Sequence, residues 1–216
     1  MNIFLDTANI EQIRQAAKLG IISGVTTNPS LLSKEATSDY ETLTKTICSI
    51  ISGPVSVEVL SEDADSMIEE ARLKASWAAN VNVKIPATSD GLQAISTLSQ
   101  ENIKTNMTLC FSANQSLLGA LAGATYVSVF VGRLDDVGHD GMQVVEDVMN
   151  LLDNYPELDT QVIAASLRHP LHCTQAALIG AHIATVPYNV LMQMIQHPLT
   201  DVGIKRFLAD WKSIAK

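Results

Sequence analysis

A lysine within an apolar strand pattern is the residue of this chain best suited to covalent chemistry. Lys84 lies in the run VNVKIP at positions 81–86, and Glu58 lies in the similar run VSVEVL at positions 55–60. Because side chains alternate between the two faces of a strand, each run places its valines on one face and its polar residues on the other. An amine held on an interior strand face that also carries a carboxylate is a candidate nucleophile.

A regular alternation of short strands and amphipathic helices predicts the scaffold that positions these residues. The intervening segments fit one helix each, for example 63–79, with Asp63 near the cap position, and 141–154. Eight βα repeats predict an α/β fold of the (β/α)8 TIM barrel type. The predicted strands are 2–6, 23–28, 55–60, 81–86, 103–109, 125–131, 160–166 and 182–187.

One further segment follows the eighth repeat. Residues from about 199 to 216 carry an apolar stripe that includes Val202, Phe207, Leu208 and Trp211 on an otherwise polar helix pattern. We therefore expect an extra C-terminal helix that packs on its own barrel or on a neighbouring subunit. No linker divides the 216 residues, so we expect a single domain spanning 1–216.

Composition narrows the classes of partner. The formal charge of −9 and the absence of a Lys/Arg cluster disfavour nucleic acid and favour a small-molecule ligand. The chain has no run of ~18 apolar residues and no basic leader, so we expect no membrane association and a cytoplasmic location. The three cysteines, Cys48, Cys110 and Cys173, are too scattered for a disulfide framework.

The sequence indicates neither a metal nor a nucleotide cofactor. It contains no GxGxxG or Walker-type loop, and its five histidines do not follow a metal-ligand spacing such as HExxH. His169 and His172 lie three apart around Pro170, a pattern that favours the start of a helix over a metal site.

Barrel enzymes carry their chemistry at the carboxyl ends of the strands, and polar residues with interior parity occur there in every predicted strand but the last. Unpaired charges are expensive to bury, so this concentration of polar groups predicts a site. In strand order, the candidates are Asp6; Thr26 and Asn28; Glu58; Lys84; Asn106 and Thr108; Phe130 and Arg133; and Ser166 and Arg168.

Each candidate also has a purely structural interpretation. Lys84 could extend from a strand end to solvent, and Asp6 or Asn28 could cap the helix that follows. Thr108 and Phe130 suit a strand and a core, and Arg133 could pair with a nearby aspartate. The arrangement as a whole carries the prediction.

Seven segments, taken together and in order, resemble the transaldolases, in particular their short single-domain bacterial subfamily. The resemblance covers nearly the whole chain, and the TTNP run combined with the lysine strand makes it specific. The segments are DT at 6–7, GVTTNPS at 24–30, VEV at 57–59, VKIP at 83–86, NMTL at 106–109, FVGR at 130–133 and ASLR at 165–168.

This resemblance implies cofactor-independent aldol chemistry, in which Lys84 forms a Schiff base with a ketose phosphate. Asp6 would remove the proton from the C4 hydroxyl, and Glu58 with Thr108 would shuttle protons through a water. Asn28, Asn106 and Ser166 would bind hydroxyls of the three-carbon unit. Arg133 and Arg168 would bind phosphate, for which a guanidinium has suitable geometry.

The same resemblance leaves alternatives. Fructose 6-phosphate aldolases use the same lysine but carry other residues at positions 58, 106 and 130, where this chain has the transaldolase choices Glu58, Asn106 and Phe130. A barrel that binds sugar phosphates without turnover is a second alternative. Short family members form pentamers and decamers, so we expect a homo-oligomer.

Overall fold

The eight strands of the described residues form a closed barrel in which each strand is parallel to both neighbours. The structure is a computed structural model that describes residues 1–35 and 39–214. The strands are β1 (Asn2–Asp6), β2 (Ile22–Thr26), β3 (Val55–Glu58), β4 (Val81–Pro86), β5 (Thr105–Cys110), β6 (Tyr126–Phe130), β7 (Gln161–Ala165) and β8 (Ile183–Pro187). This confirms the predicted (β/α)8 TIM barrel, and no predicted strand end is displaced by more than two residues.

Helices alternate with the strands and cover the barrel. The predicted helix at 63–79 is observed as Ala64–Ala75, with the Asp63 side chain accepting a hydrogen bond from Ser66 N at 3.0 Å. The helices are α1 (Ile10–Ala17), α2 (Pro29–Leu32), α3 (Tyr40–Ile50), α4 (Ala64–Ala75), α5 (Ser89–Gln100), α6 (Ala113–Leu121), α7 (Val131–Asp135), α8 (Gly141–Leu152), α9 (Pro170–Ile179), α10 (Tyr188–Ile195) and α11 (Pro198–Ile214).

The barrel has two distinct packing regions. Outward-facing strand residues such as Val57, Val83 and Ile85 are fully buried against the helices and form the main core. Inside the barrel, Phe4 and Tyr126 belong to a separate apolar cluster, contributed by β1 and β6 to β8. The interior side of β2 to β5 is instead polar. The alternation predicted for β3 and β4 places Glu58 and Lys84 on this side, so a site that uses them must lie inside the barrel.

Helix α11 confirms the predicted C-terminal helix, except that residues 215 and 216 lie outside the described part of the chain. None of its described residues is buried. Phe207 and Trp211 are 73% and 69% exposed, and Leu199, Val202, Leu208 and Ile214 are also exposed. The helix therefore presents an apolar face to solvent instead of packing it on its own barrel.

Within residues 1–35 and 39–214, the structure contains no helix that is both long enough and apolar enough to cross a membrane.

Candidate active site

Strand β4 places Lys84 at the centre of the polar interior. The register of the parallel pair sets Lys84 directly beside Glu58, and Lys84 Nζ lies 3.9 Å from Glu58 Oε2. The same nitrogen donates a hydrogen bond to the carbonyl oxygen of Thr27 at 3.0 Å. Only 4% of Lys84 is exposed, so it does not extend into solvent as the structural alternative supposed. The amine is held at the base of a cavity.

Asp6 is the second carboxylate of this interior and ends a chain of hydroxyl groups. Thr26 Oγ1 donates to Asp6 Oδ1 at 2.8 Å, and the Thr185 hydroxyl lies 2.5 Å from the same Thr26 oxygen. Because the single proton of Thr26 is directed to Asp6, Thr185 is the donor in the second bond. Burial raises the pKa of Asp6, although Lys84 and the Thr26 hydrogen bond act in the opposite direction.

Glu58 is subject to the same competing effects. Burial raises its pKa, and Asp6 adds repulsion, while the positive charges of Lys84, Arg133 and Lys74 lower it. The net effect is upward, so both carboxyl groups near Lys84 are easier to protonate than an exposed acid. Two such groups near one amine suit chemistry that transfers protons to and from a bound substrate.

The main chain of Glu58 is held by two side chains from the helix layer. Its N–H donates to Tyr40 Oη at 3.0 Å, and its carbonyl oxygen accepts from Lys74 Nζ at 2.7 Å. Lys74 is itself buried and lies 2.9 Å from Glu70 Oε1 and 4.5 Å from the centre of the Tyr40 ring. Burial raises the pKa of Tyr40 to about 12, so its hydroxyl stays neutral.

Two adjoining cavities open at the carboxyl ends of the strands. Lys84 lies in the inner one, of about 90 Å³, and Glu58 in the outer one, of about 200 Å³. Asn28, Phe130 and Arg133 border both. The other residues of the inner lining are Asp6, Thr26, Ser128, Ala165, Ser166 and Thr185.

Asn28 and Ser166 combine a local structural role with a place in the cavity wall. The Asn28 side chain caps α2 by accepting from Leu31 N at 3.0 Å, as the capping alternative predicted. Ser166 follows β7 with a φ of 58°, a left-handed conformation that is uncommon for a residue other than glycine. Strained backbone of this kind is often retained where it orients a functional group.

Asn106 and Thr108 are fully buried in β5 and lie outside the lining of both cavities. Asn106 Nδ2 donates to Ser56 Oγ at 3.2 Å, and Asn106 Oδ1 accepts from Ser128 Oγ at 2.7 Å. The hydroxyl of Thr108 makes no hydrogen bond with any described residue, which leaves its donor and acceptor unused. Asn106 therefore connects β5 to β3 and β6 through side-chain hydrogen bonds inside the barrel.

The two predicted phosphate-binding arginines differ in placement. Arg133 borders both cavities, with its guanidinium 5.1 Å from the centre of the Phe130 ring. Arg168 lies outside both linings, and its Nη2 forms an ion pair with Asp136 Oδ2 at 2.7 Å. In this structure the Arg168 guanidinium therefore binds Asp136 and does not line either cavity.

Several groups of the site are not among the residues predicted from the sequence. Ser128 and Thr185 line the inner cavity, and the carbonyl of Thr27 accepts from Lys84. Thr185 also corrects the expectation that the eighth strand brings no polar group to the site. Interior parity could have identified Ser128 and Thr185, because they lie two residues before Phe130 and Pro187, which end β6 and β8. Tyr40 is the first residue of α3, the helix that precedes β3, and no strand or helix periodicity indicates its contact with Glu58.

No group of three or more His, Cys, Asp or Glu side chains that could hold a metal ion occurs in the described parts of the chain. His169 is at the N-cap position of α9, and His172 lies within that helix, as the proline pattern predicted. The fold and the site together define the class of protein: a (β/α)8 barrel with an amine and two carboxyl groups at the carboxyl ends of its strands.

Comparison with known proteins identifies the family. Residues 3–216 match the family described as Transaldolase/Fructose-6-phosphate aldolase, and the chain belongs to this family. A protein named "Probable transaldolase" from Dehalococcoides mccartyi is 62% identical, with 100% of both chains covered. Another of that name from a Thermoanaerobacter species is 58% identical, over 98% of this chain and 97% of its own.

A solved structure shows the same fold in a more distant protein. Thiamine phosphate pyrophosphorylase from Pyrococcus furiosus superimposes with a TM-score of 0.60 at 14% identity, covering 86% of this chain and 85% of its own. At this identity, the similarity concerns the barrel alone.

Proposed function

We propose that this protein is a transaldolase that transfers a dihydroxyacetone unit from sedoheptulose 7-phosphate to glyceraldehyde 3-phosphate, giving erythrose 4-phosphate and fructose 6-phosphate. The observation that carries the proposal is the buried Lys84 amine at the base of a cavity that Asp6 also lines, 3.9 Å from the Glu58 carboxylate. Membership of the family and the names of the relatives support it.

In the first step, the Lys84 amine gives up a proton, attacks the C2 carbonyl of the ketose through its free electron pair and forms a carbinolamine. Loss of the C2 oxygen as water then gives a protonated imine, so one group must supply a proton and another must accept one. Glu58 suits both roles because its pKa is raised. The unused hydroxyl of Thr108 is consistent with the assignment of a water to Glu58 and Thr108.

In the second step, the C3–C4 bond breaks and its electron pair moves into the imine, which becomes an enamine. The proton of the C4 hydroxyl passes to Asp6, and the shortened aldose phosphate leaves as an aldehyde. The Thr185–Thr26–Asp6 hydrogen-bond chain supports this role. Thr26 bonds to Asp6 Oδ1, so Asp6 Oδ2 does not take part in the chain and can accept the proton. The acceptor aldehyde then adds by the reverse path, and hydrolysis of the imine releases the new ketose.

The two cavities suit the two halves of such a substrate. The three-carbon unit would occupy the inner cavity near Lys84, where Asn28 and Ser166 can bind its hydroxyls. Asn106 would contribute to the three-carbon site from beneath, through its bond to the Ser128 hydroxyl. The phosphate would lie toward Arg133, with Arg168 joining it after release from Asp136.

A fructose 6-phosphate aldolase is the second candidate, because the matching family includes that activity in its description. Such an enzyme would release dihydroxyacetone without an acceptor. The residues Glu58, Asn106 and Phe130 favour transfer, because Phe130 lines the inner cavity without a phenol to donate a proton near the imine.

The test is borohydride reduction in the presence of fructose 6-phosphate, followed by peptide mass spectrometry and by a product assay with erythrose 4-phosphate. We expect a reduced three-carbon adduct on Lys84, and sedoheptulose 7-phosphate only when the acceptor is present. Lys84→Met should abolish the adduct, whereas the exposed Lys104→Met serves as the matched control and should retain it.

Release of dihydroxyacetone without an acceptor would identify an aldolase instead. An adduct-free Lys84 in active protein would refute the Schiff base. Phosphate binding without any adduct or turnover would support the non-catalytic barrel.

We further propose that the protein acts in the non-oxidative pentose phosphate pathway of the cytoplasm and forms a homo-oligomer, a pentamer or decamer. The exposed apolar face of α11 supports the last point, because contact with another subunit would remove Phe207 and Trp211 from water.

A further inference from the structure

Two turns that carry the predicted phosphate-binding arginines are tied together by their main chains. Arg133 lies in α7, directly after β6, and Arg168 lies in the turn between β7 and α9. Gly132 N donates to Ser166 O at 3.1 Å across the two turns. A Cβ atom at position 132 would lie 2.3 Å from that oxygen, so the close approach requires glycine. The two turns form one unit, which we call the arginine clamp (131–136 and 166–172).

His172 connects both halves of the arginine clamp. Its Nδ1 accepts a hydrogen bond from Arg168 N at 3.2 Å, which requires a lone pair on that nitrogen. The proton of the neutral ring is therefore on Nε2, which lies 3.3 Å from Asp135 Oδ2. The other Asp135 oxygen accepts from Gly141 N at 3.0 Å. His172 thus links the backbone of one arginine to the helix that carries the other.

We propose that His172 is a positioning residue for the phosphate site, which sets the preference for phosphorylated over unphosphorylated sugars by holding the Arg168 backbone in its turn. This inference rests on the proposed function, because it assigns Arg168 to phosphate. His172 is 6% exposed and lies outside the lining of both cavities, so it acts through Arg168 and not by touching the substrate.

The same geometry makes the preference sensitive to acid. A protonated imidazole carries hydrogen on both nitrogens and cannot accept from Arg168 N. Burial lowers the pKa of His172, and two neighbours lower it further: His169, whose ring centre is 3.8 Å away, and Arg168. Asp135 and Asp140 act in the opposite direction but do not outweigh burial. His172 is therefore neutral at pH 7, and the bond is lost only on acidification.

The experiment measures how the enzyme-bound three-carbon unit partitions between glyceraldehyde 3-phosphate and glyceraldehyde supplied together. The ratio of the two products reports phosphate preference and does not depend on the amount of folded enzyme. His172→Gln can place an amide near the position of Nε2 and so keep the contact with Asp135, but it removes the acceptor at Nδ1. We expect the ratio to fall roughly fivefold, the factor that corresponds to one hydrogen bond.

Two further variants separate positioning from general packing. His172→Asn places an amide oxygen near the position of Nδ1, so it should largely restore the ratio. His182→Gln is the matched control, because His182 Nδ1 also accepts from a main-chain donor, Val162 N at 3.1 Å, at the opposite end of β7. It should leave the ratio unchanged. An equal fall in the two glutamine variants, or failure of His172→Asn to restore the ratio, would overturn the proposal.

The pH dependence and phosphate binding provide independent measurements. On acidification, the ratio of phosphorylated to unphosphorylated product should fall more steeply for the wild type than for His172→Asn. The acceptor phosphate has a second pKa of about 6, but it titrates equally in both measurements and does not cause a difference between them. Parallel profiles would count against the proposal. Binding of inorganic phosphate should be weaker in His172→Gln even if no transfer product forms with any variant. That outcome would support positioning by His172 while refuting the proposed reaction.

Discussion

Lys74→Met tests whether the buried lysine behind β3 stabilises both the fold and the ionised form of Glu58. Lys74 Nζ bonds to the Glu58 carbonyl at 2.7 Å and pairs with Glu70 at 2.9 Å. Removing one partner of a buried ion pair costs ~3–5 kcal/mol. Glu70 keeps three donors, from Leu60 N, Ser61 N and Ser61 Oγ, and is partly exposed, so we expect the lower end, about 3 kcal/mol.

Urea unfolding followed by circular dichroism measures this loss. The matched control is Lys45→Met, whose lysine pairs with Glu41 at a shorter distance of 2.5 Å, but with both side chains about half exposed. An exposed pair four residues apart in a helix contributes less than ~0.5 kcal/mol. Lys74→Met/Glu70→Gln should recover part of the loss, because no unpaired buried charge remains.

The same variant should change catalysis. Lys74 lowers the pKa of Glu58 and holds its main chain, so its removal should raise that pKa and shift the acidic limb of the kcat profile to higher pH. We expect kcat to fall about tenfold, equivalent to ~1.4 kcal/mol, because Glu58 remains present but less well held. A stability loss equal to that of Lys45→Met, or an unshifted pH profile, would refute the reasoning.

Three further predictions concern other parts of the molecule. Asp6→Asn should stabilise the fold at neutral pH. Because the pKa of Asp6 is raised, the folded state binds more protons than the unfolded state, and wild-type stability falls as pH rises. Urea unfolding from about pH 4 to 7 should therefore show a flatter pH dependence of stability in the variant. Asp136→Asn should release Arg168 and raise the preference for phosphorylated acceptors by less than about fivefold, because the pair is exposed; an unchanged product ratio would count against phosphate binding by Arg168. Phe207→Ser/Trp211→Ser should lower the mass measured by light scattering if α11 joins subunits, and an unchanged mass would argue against that interface.

Local sequence patterns were sufficient to predict the fold and most of the residues that line the two cavities. Strand periodicity depends on residues two positions apart, and this local information was sufficient to place β1 and β4 at their predicted bounds. It also placed Lys84 and Glu58 on the same interior face, because parity follows from the pattern once the strands are identified. A parallel barrel then requires that the ends of all eight strands meet, so residues far apart in sequence could be grouped before any distance was known.

The contacts among these groups depend on how the whole chain folds. Thr185 bonds to Thr26 because barrel closure brings β8 near β2 across β1, and Tyr40 and Lys74 reach Glu58 from helices that pack behind its strand. The sequence does not specify whether the long side chain of Arg168 extends to the cavity or to Asp136, and the structure shows the pair with Asp136. Such contacts depend on closure of the barrel and on competition among side-chain partners, which the local pattern does not encode. The sequence pattern therefore specifies which residues face the site, whereas tertiary packing specifies which of them form hydrogen bonds or ion pairs with one another.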